Sequence, residues 1–427
     1  MSSAQSSPQL MLVPGGTSPL AITRTYSAIH KLWEFHERFE KTGMERGQWI
    51  VVAPRPADEC LPQNLGATNL ALQQRLRRLP PKVDVILETS GSSTGSPRLV
   101  GLSTTALVAS ARATHEFLGG PGRWIVALPV HHVAGLQTLM RACVSGTPPV
   151  IADMSGGFDP AALETACHTA TDTESWKFPT RPRAYLSLVQ RQLQQALETG
   201  GSLVAALAKL DAILVGGSAI DEGVLAAARG AGLKVVTTYG MTETGGGCVY
   251  DGHPLPSVEV RSAEDGCLQI SGPMLMEGYL DAGPNVLVME AGRRWLRTAD
   301  LGSVEGTLVR VEGRADAVII SGAVNVVPAQ VNAATLATGL VSAAHTIGLP
   351  DPQWGQVVAT LVESDADAQE LGPQLREAVA ARLPRAWAPR VVACVGELPR
   401  TEMAKVDTAK VRTLLLQALA DGTAWKR

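Results

Sequence analysis

The chain has 427 residues, 45% hydrophobic, 18% charged and 4% aromatic, and 37 Lys+Arg against 40 Asp+Glu leave a formal charge of -3. This length exceeds what one hydrophobic core usually organises, and the composition excludes wholesale disorder and fibrous repeats. The charge balance supplies no basic field for nucleic acid or an anionic membrane, and no apolar run nears the roughly 18 residues of a span.

Residues 1–20 are rich in Ser, Pro and Gly and are expected to be mobile; MSSAQSSPQL lacks a positive n-region and an apolar h-region, so a cytoplasmic protein is expected. Ile22 to Phe39 is amphipathic and helix-like. WIVVAP (49–54) predicts a strand, LALQQRLRRL (70–79) a helix stopped by Pro80 and Pro81, and VDVILETSG (83–91) a strand entering a small-residue loop. RWIVALPV (123–130) predicts a strand, GLQTLMRACVSG (135–146) a helix and PPVIAD a short strand. YLSLVQRQLQQAL (185–197) reads as a helix, followed by strand 210–217, helix 221–232 and strand 233–240. Such alternation predicts an α/β fold with parallel, helix-covered sheets.

After about residue 250, short β-like runs (SVEVRS, CLQISG, WLRTADLG, TLVRVEG) predict a small antiparallel, barrel-like part. The tail from Ala317 alternates strand and helix and is long enough for a small α+β domain. The expected divisions are a flexible 1–20, a large domain over 21–314 and a small C-terminal domain over 315–427. Six cysteines are scattered with no C-x-x-C pair, and no H-E-x-x-H occurs. Buried free thiols in a reduced compartment fit that pattern.

Six loops could carry chemistry. ETSGSSTGSPR (88–98) follows an apolar strand; small residues let backbone N–H groups approach an anion. It lacks the lysine spacing of a Walker loop. It does contain Gly91-Ser92-Ser93-Thr94-Gly95, the G-x-S-x-G pattern of serine hydrolases, although Pro97 falls in the first turn of the helix that motif needs. VGGSAI (215–220) ends a strand with glycines. TTYGMTETGGG (237–247) sets Thr242 beside Glu243 at a strand end, a pair suited to a phosphate and Mg²⁺. Asp300 in TADLG and Arg314 in VEGRAD suit a ribose, and LPRTEMAKV (398–406) presents Lys405.

Together, TSG with its Ser/Thr/Gly run, YG-x-TE, T-x-D-x-G, GR-x-D with SG-x-x-NV-x-P, and PRT-x-x-x-K resemble the adenylate-forming superfamily of acyl-CoA synthetases over about residues 85–406. That resemblance implies a small, mobile C-terminal domain, and ATP, Mg²⁺ and coenzyme A as partners in the reaction. It implies that Thr89, Ser90, Gly91, Ser92, Ser93, Thr94 and Gly95 close over the ATP phosphates. Gly216, Gly217, Ser218 and Ala219 would flank adenine; Tyr239 and Gly240 would lie near that base. Thr242 would touch the α-phosphate, Glu243 hold Mg²⁺, Asp300 and Arg314 hold the ribose, Asp316 act as the hinge, and Lys405 enter during adenylation. The chain departs from the pattern in three ways. Three residues separate Gly91 from Gly95 where two are usual, and the run ends in Arg98 rather than lysine. Ala323 and Ala404 stand where glycines are frequent.

The acid should show in LPVHHVAGLQTLMRACVSGTPPV (128–150), where Arg141 sits on a largely apolar helix; an ion pair within the protein or an anionic ligand would satisfy it. This segment is similar to the o-succinylbenzoate–CoA ligases of menaquinone biosynthesis. The likeness implies that Arg141 meets the second carboxylate of a dicarboxylic aryl acid, with His132 beside the thioester tunnel and Gly245 and Gly246 at the acid. Another aryl- or acyl-CoA ligase, an acyl-AMP ligase loading a carrier protein, and a serine hydrolase using Ser93 are the alternatives. Small molecules, rather than nucleic acid or membrane, are the expected partners, and a homodimer stays open.

Overall fold

The first strand forms inside the stretch expected to be mobile. β1 (Gln9–Pro14) pairs in parallel with β2 (Ile50–Arg55) at every residue, from Gln9↔Ile50 to Pro14↔Arg55. The expectation of flexibility over 1–20 is therefore overturned for these six residues: QLMLVP alternates enough apolar side chains to cover a sheet edge, and Val13 is buried. The computed structural model describes residues 8–44, 49–89, 97–173, 183–401 and 405–427. The chain divides into two units, one of Met1–Val260, Ile270–Arg297 and Gly306–Leu308, the other of Arg261–Gln269, Thr298–Glu305 and Val309–Arg427.

In the first unit, Ser18 caps α1 (Pro19–Thr42), its Oγ accepting the Ala21 N–H, with Pro19 at the first helical position. After α2 (Leu65–Arg75), β3 (Val85–Glu88) lies parallel to β2, and β4 (Leu99–Leu102) lies antiparallel to β3 from Val85↔Leu102 to Glu88↔Leu99. Residues 89–98 thus connect two antiparallel neighbours. Ser93, the nucleophile of the serine-hydrolase reading, lies outside the described residues.

The larger sheet is built from α3 (Thr104–Phe117), β5 (Gly122–Val126), α4 (Val133–Ser145), β6 (Val150–Ile151), α5 (Pro160–Thr171), β7 (Arg183–Val189), α6 (Gln190–Thr199), α7 (Gly201–Leu207), β8 (Ala212–Gly216), α8 (Glu222–Gly230), β9 (Val235–Met241), β10 (Gly246–Tyr250) and β11 (His253–Pro254). Its strand order is β11-β10-β9-β8-β7-β5-β6, parallel from β6 to β9 and antiparallel beyond. The helix expected over 185–197 is wrong in its first half. Ala184 to Leu188 are all buried in β7 between β5 and β8, and the helix starts only at Gln190. A strand covered on both faces is apolar at consecutive positions, which a helical spacing also fits. Leu163 of α5 and Leu193 of α6 pack with Leu186 and Ile213 of the sheet, all fully buried.

The strands β12 (Glu259–Ser262) and β13 (Cys267–Ser271) follow, and β14 (Gly278–Tyr279) returns to pair with β4. β15 (Leu287–Glu290) forms a hairpin with the start of β16 (Arg293–Glu305). In the second unit, β17 (Leu308–Arg314) leads to the hairpin of β18 (Ile319–Ser321) and β19 (Val324–Val326), then α9 (Pro328–Leu336). β20 (Ala343–Asp351) and β21 (Gly355–Glu363) pair along nine residues; α10 (Ala368–Ala380), β22 (Val391–Val395), α11 (Thr408–Ala420) and β23 (Trp425–Lys426) complete it. Val411 and Leu415 of α11 pack with Leu361 and Val391, while Leu375 of α10 packs with Val362 and Val392. Among the described residues no helix is long and apolar enough to cross a membrane.

Ala323, at a position where the resemblance expects glycine, adopts a left-handed backbone that favours glycine. Gly322 and Ala323 form the two-residue turn between β18 and β19 with φ of 57° and 64°. Both angles are those of the turn that matches the twist of a tight hairpin. A Cβ in the left-handed region costs about 1 kcal/mol. Ala323→Gly should therefore raise the unfolding free energy of the second unit by about 1 kcal/mol, read as a shift in its urea midpoint.

Candidate nucleotide and acid site

Three strands of the larger sheet deliver candidate residues from their C-terminal ends, where parallel sheets present ligands. β5 leads to His131 and His132, β8 to Gly216–Ala219, and β9 to Thr242 and Glu243. β8 and β9 are neighbours, with Gly216 opposite Thr238. A Cβ on Gly216 would lie 2.2 Å from the Thr238 Oγ1, so only glycine permits this register. Gly217, Ser218 and Ala219 are exposed, and Tyr239 and Gly240 half-buried.

The chain reverses directly after β9. Thr244, fully buried, accepts the Met241 N–H at 2.9 Å and donates to the Gly246 carbonyl at 2.7 Å. Gly247 lies opposite Gly240, whose Cβ would sit 2.2 Å from the Gly246 oxygen. Thr242 and Glu243, each 9% exposed, occupy the short turn before Thr244. Glu243 Oε1 accepts the Tyr279 hydroxyl at 2.7 Å, and its backbone oxygen accepts the Met276 N–H at 2.9 Å. Burial and the adjacent carboxylate push the Tyr279 phenol up, so it remains a donor at neutral pH. Oε2 of Glu243 has no hydrogen-bond partner among the described residues.

Thr89 donates its N–H to the Arg98 carbonyl at 3.0 Å and accepts the Arg98 N–H on Oγ1 at 2.9 Å. Ser90, Gly91, Ser92, Ser93, Thr94 and Gly95 lie outside the described residues. Arg98 pairs with Asp281 at 2.8 Å and lies 3.8 Å over the Tyr279 ring. Glu88 holds Arg55 at 3.0 Å and also pairs with Arg75.

Arg141 is 3% exposed on α4 and forms no ion pair with the described residues. One guanidinium N–H meets the Tyr250 hydroxyl at 3.0 Å, the group stands 4.8 Å over the Trp124 ring, and Nε has no partner among the described residues. Tyr250 in turn lies 3.0 Å from Thr114 Oγ1. Burial lowers the Arg141 pKa. One turn earlier, Gln137 donates to the Gly245 carbonyl at 2.6 Å and its side-chain oxygen has no partner among the described residues. Gly246 faces the same side chain: its Cβ would lie 3.1 Å from Gln137 Cγ. Sequence reading passed over Gln137, although its spacing of four from Arg141 puts both on one helix face. It also passed over Tyr279, for which no local pattern speaks.

In the second unit, Arg314 bridges two carboxylates, Asp300 at 3.2 Å and Asp316 at 2.8 Å. Asp300 is 7% exposed and its N–H donates to Thr298 Oγ1 at 3.1 Å. Lys405 directly precedes Val406, which bridges Arg400, and its carbonyl accepts the Thr401 N–H at 2.8 Å. Ala404 lies outside the described residues.

A Mg²⁺ ion suits what the first unit offers. Glu243 is a hard oxygen donor with one oxygen unengaged, and no group of three His, Cys, Asp or Glu among the described residues forms a cage of its own. Mg²⁺ commonly takes one or two carboxylates and completes its shell with substrate phosphates and water.

The AMP-binding enzyme family model matches residues 40–280, and that of the AMP-binding enzyme C-terminal domain matches 330–405. A probable 2-succinylbenzoate–CoA ligase of Mycobacterium tuberculosis is 41% identical over 331 residues, covering 77% of this chain and 83% of the relative. The o-succinylbenzoate CoA synthetase of Bacillus subtilis in complex with its acyl-adenylate intermediate superposes with a TM-score of 0.68 at 21% identity, over 96% of this chain and 88% of that one. An amide bond synthetase of Marinactinospora thermotolerans gives a TM-score of 0.69 at 22% identity, over 97% and 90%. At such identities the structural likeness establishes the fold.

Two buried histidines make the stability of this unit sensitive to acid. Burial, reinforced by Arg141, pushes His115 down to about 4; burial, reinforced by Arg55, does the same to His131. A folded pKa below the unfolded value near 6.5 means that the unfolded chain takes up the proton first, so stability falls as pH drops from about 6.5 to 4. His115 accepts the Trp124 indole N–H at 3.0 Å in its neutral form. For His115 the loss between pH 7 and pH 5 should be about 2 kcal/mol by urea titration, and His115→Gln should remove that share of the slope.

Proposed function

Since this chain belongs to the AMP-binding enzyme family, we propose that it activates o-succinylbenzoate with ATP and passes the acyl group to coenzyme A. The observation that carries this reading is the 41% identity, across 77% of the chain, to a relative described as a ligase for that acid. Arg141 supplies a physical reason. A buried guanidinium without a carboxylate among the described residues is costly unless an anion reaches it. The second carboxylate of o-succinylbenzoate is such an anion, while the first one reacts.

A carboxylate is a poor electrophile, because its charge repels nucleophiles and oxide is a poor leaving group. Attack of its oxygen on the ATP α-phosphate expels pyrophosphate and gives an acyl-adenylate. The thiol of coenzyme A then attacks the acyl carbon, and AMP leaves with the electron pair of the broken C–O bond. Negative charge accumulates on the α-phosphate oxygens in the first step, and Thr242 and Lys405 are the donors assigned there. Thr89 and the residues after it are assigned to the β- and γ-phosphates, Gly216 to Ala219 and Tyr239 to the base, and Asp300 and Arg314 to the ribose. Mg²⁺ held by Glu243 would neutralise charge on the phosphates. Asp316 is assigned as the hinge between the two steps, and His132, at the start of α4, is assigned to the thioester side of the acid.

Lys405→Ala should slow pyrophosphate release by roughly a few hundredfold and leave thioester formation from supplied acyl-adenylate nearly intact. Equal loss of both half-reactions would remove the assignment of Lys405. Arg141→Gln should raise the KM for o-succinylbenzoate at least tenfold while leaving the KM for ATP within about twofold. A variant that loses both together, with a matching fall in melting temperature, would make Arg141 a structural cation. Activity with a carrier-protein thiol but none with coenzyme A would give the acyl group a different acceptor.

A further inference from the structure

Tyr279 belongs to no loop that the sequence singled out, yet it touches both Glu243 and Arg98. The segment 276–281 runs beside β4, with Glu277 N–H on the Gly101 carbonyl and Leu280 N–H on the Leu99 carbonyl, each at 2.8 Å. In the pairing of β14 with β4, Tyr279 stands opposite Val100. At one end this segment is tied to Glu243 twice, by the Met276 N–H on the Glu243 carbonyl and by the Tyr279 hydroxyl on Oε1 at 2.7 Å. At the other, Asp281 accepts Arg98 Nε at 2.8 Å and the Leu99 N–H at 2.9 Å. Arg98 closes the base of the β3–β4 connection through its paired bonds with Thr89.

The Tyr279 side chain joins these two ends. Its hydroxyl fixes one oxygen of Glu243, and its ring face carries the Arg98 guanidinium at 3.8 Å, within the range of a favourable cation–π contact. A carboxylate with one oxygen bound has lost most of its rotational freedom, and Glu243 thereby keeps Oε2 without a partner among the described residues. Ordering that would otherwise accompany metal binding is completed beforehand.

We infer that Tyr279 is a positioning residue that holds Glu243 ready for the Mg²⁺ of Mg·ATP and ties its orientation to Arg98. The inference rests on the proposed reading of Glu243 as the metal-facing carboxylate in ATP-dependent acid activation. Tyr279→Phe keeps the ring against Arg98 and removes only the hydroxyl.

Calorimetric binding of ATP with and without Mg²⁺ gives a readout that does not depend on turnover. Tyr279→Phe should weaken Mg·ATP binding roughly tenfold, the worth of one hydrogen bond to a charged group, and leave ATP binding without Mg²⁺ within about twofold. The Mg²⁺ concentration for half-maximal pyrophosphate release should rise by a similar factor, while thioester formation from supplied acyl-adenylate stays within about twofold. In a Glu243→Gln background, adding Tyr279→Phe should cost nothing further in Mg·ATP binding. Arg98→Met and Tyr279→Phe together should lose less than the product of their separate effects. Equal weakening of ATP with and without Mg²⁺, a full extra loss in the Glu243→Gln background, or strictly multiplying effects would each overturn the inference. Absence of pyrophosphate release by the unaltered protein with every acid would sink the proposed function instead, and the calorimetric comparison would still judge Tyr279.

Discussion

The hydroxyl of Thr244 holds the reversal between β9 and β10, and the placement of Thr242 and Glu243 depends on it. It accepts from Met241 and donates to Gly246 where no water reaches, so losing it would leave buried backbone groups unpaired. The reversal fits only because Gly240 has no Cβ to meet the Gly246 oxygen. Thr242 and Glu243 lie in the short turn that this reversal makes. Their orientation comes from the backbone of the sheet and from partners far along the chain, Met276 and Tyr279.

Charge is handled in two opposite ways within this unit. Around β3 and β4, Arg55, Arg75 and Arg98 are each matched to a carboxylate, Glu88 or Asp281, and all keep some contact with solvent. Arg141 is matched to none among the described residues and has a phenol and an indole face instead. Matched pairs near the surface contribute little and serve mainly to fix geometry. A buried unmatched cation destabilises the protein unless a ligand or a polarised neighbour offsets it, and on that ground the contact with an anionic acid is proposed at Arg141 of α4.

The second unit makes a comparable compromise in its backbone. Ala323 accepts left-handed geometry that a glycine would adopt freely, because the β18–β19 hairpin leaves two residues for its turn. Arg314 divides its guanidinium between Asp300 and Asp316, so a residue assigned to the ribose and the residue assigned as hinge share one cation. Neutralising Asp316 would therefore alter the charge balance next to Asp300.

Much of this was legible in the chain itself. Apolar runs punctuated by Gly and Pro marked β2, β5, β8 and β9, because a central parallel strand must be apolar on both faces and its connections must turn. The resemblance of short strings in fixed order singled out Thr242, Glu243, Asp300 and Arg314 as candidates, where each residue alone reads as an ordinary turn or surface group. The same continuous apolarity hid β7 inside an apparent helix, and a Ser/Pro-rich opening hid β1, whose partner β2 lies some forty residues onward. Spacing could not supply Tyr279, Tyr250 or the burial of Arg141. Tyr279 reaches Glu243 across 36 positions, and Arg141 reaches Tyr250 across 109. Contacts of that separation exist only after strands pair and helices pack, so the covalent order of residues decided the elements and their chemistry, while folding alone decided which side chains meet.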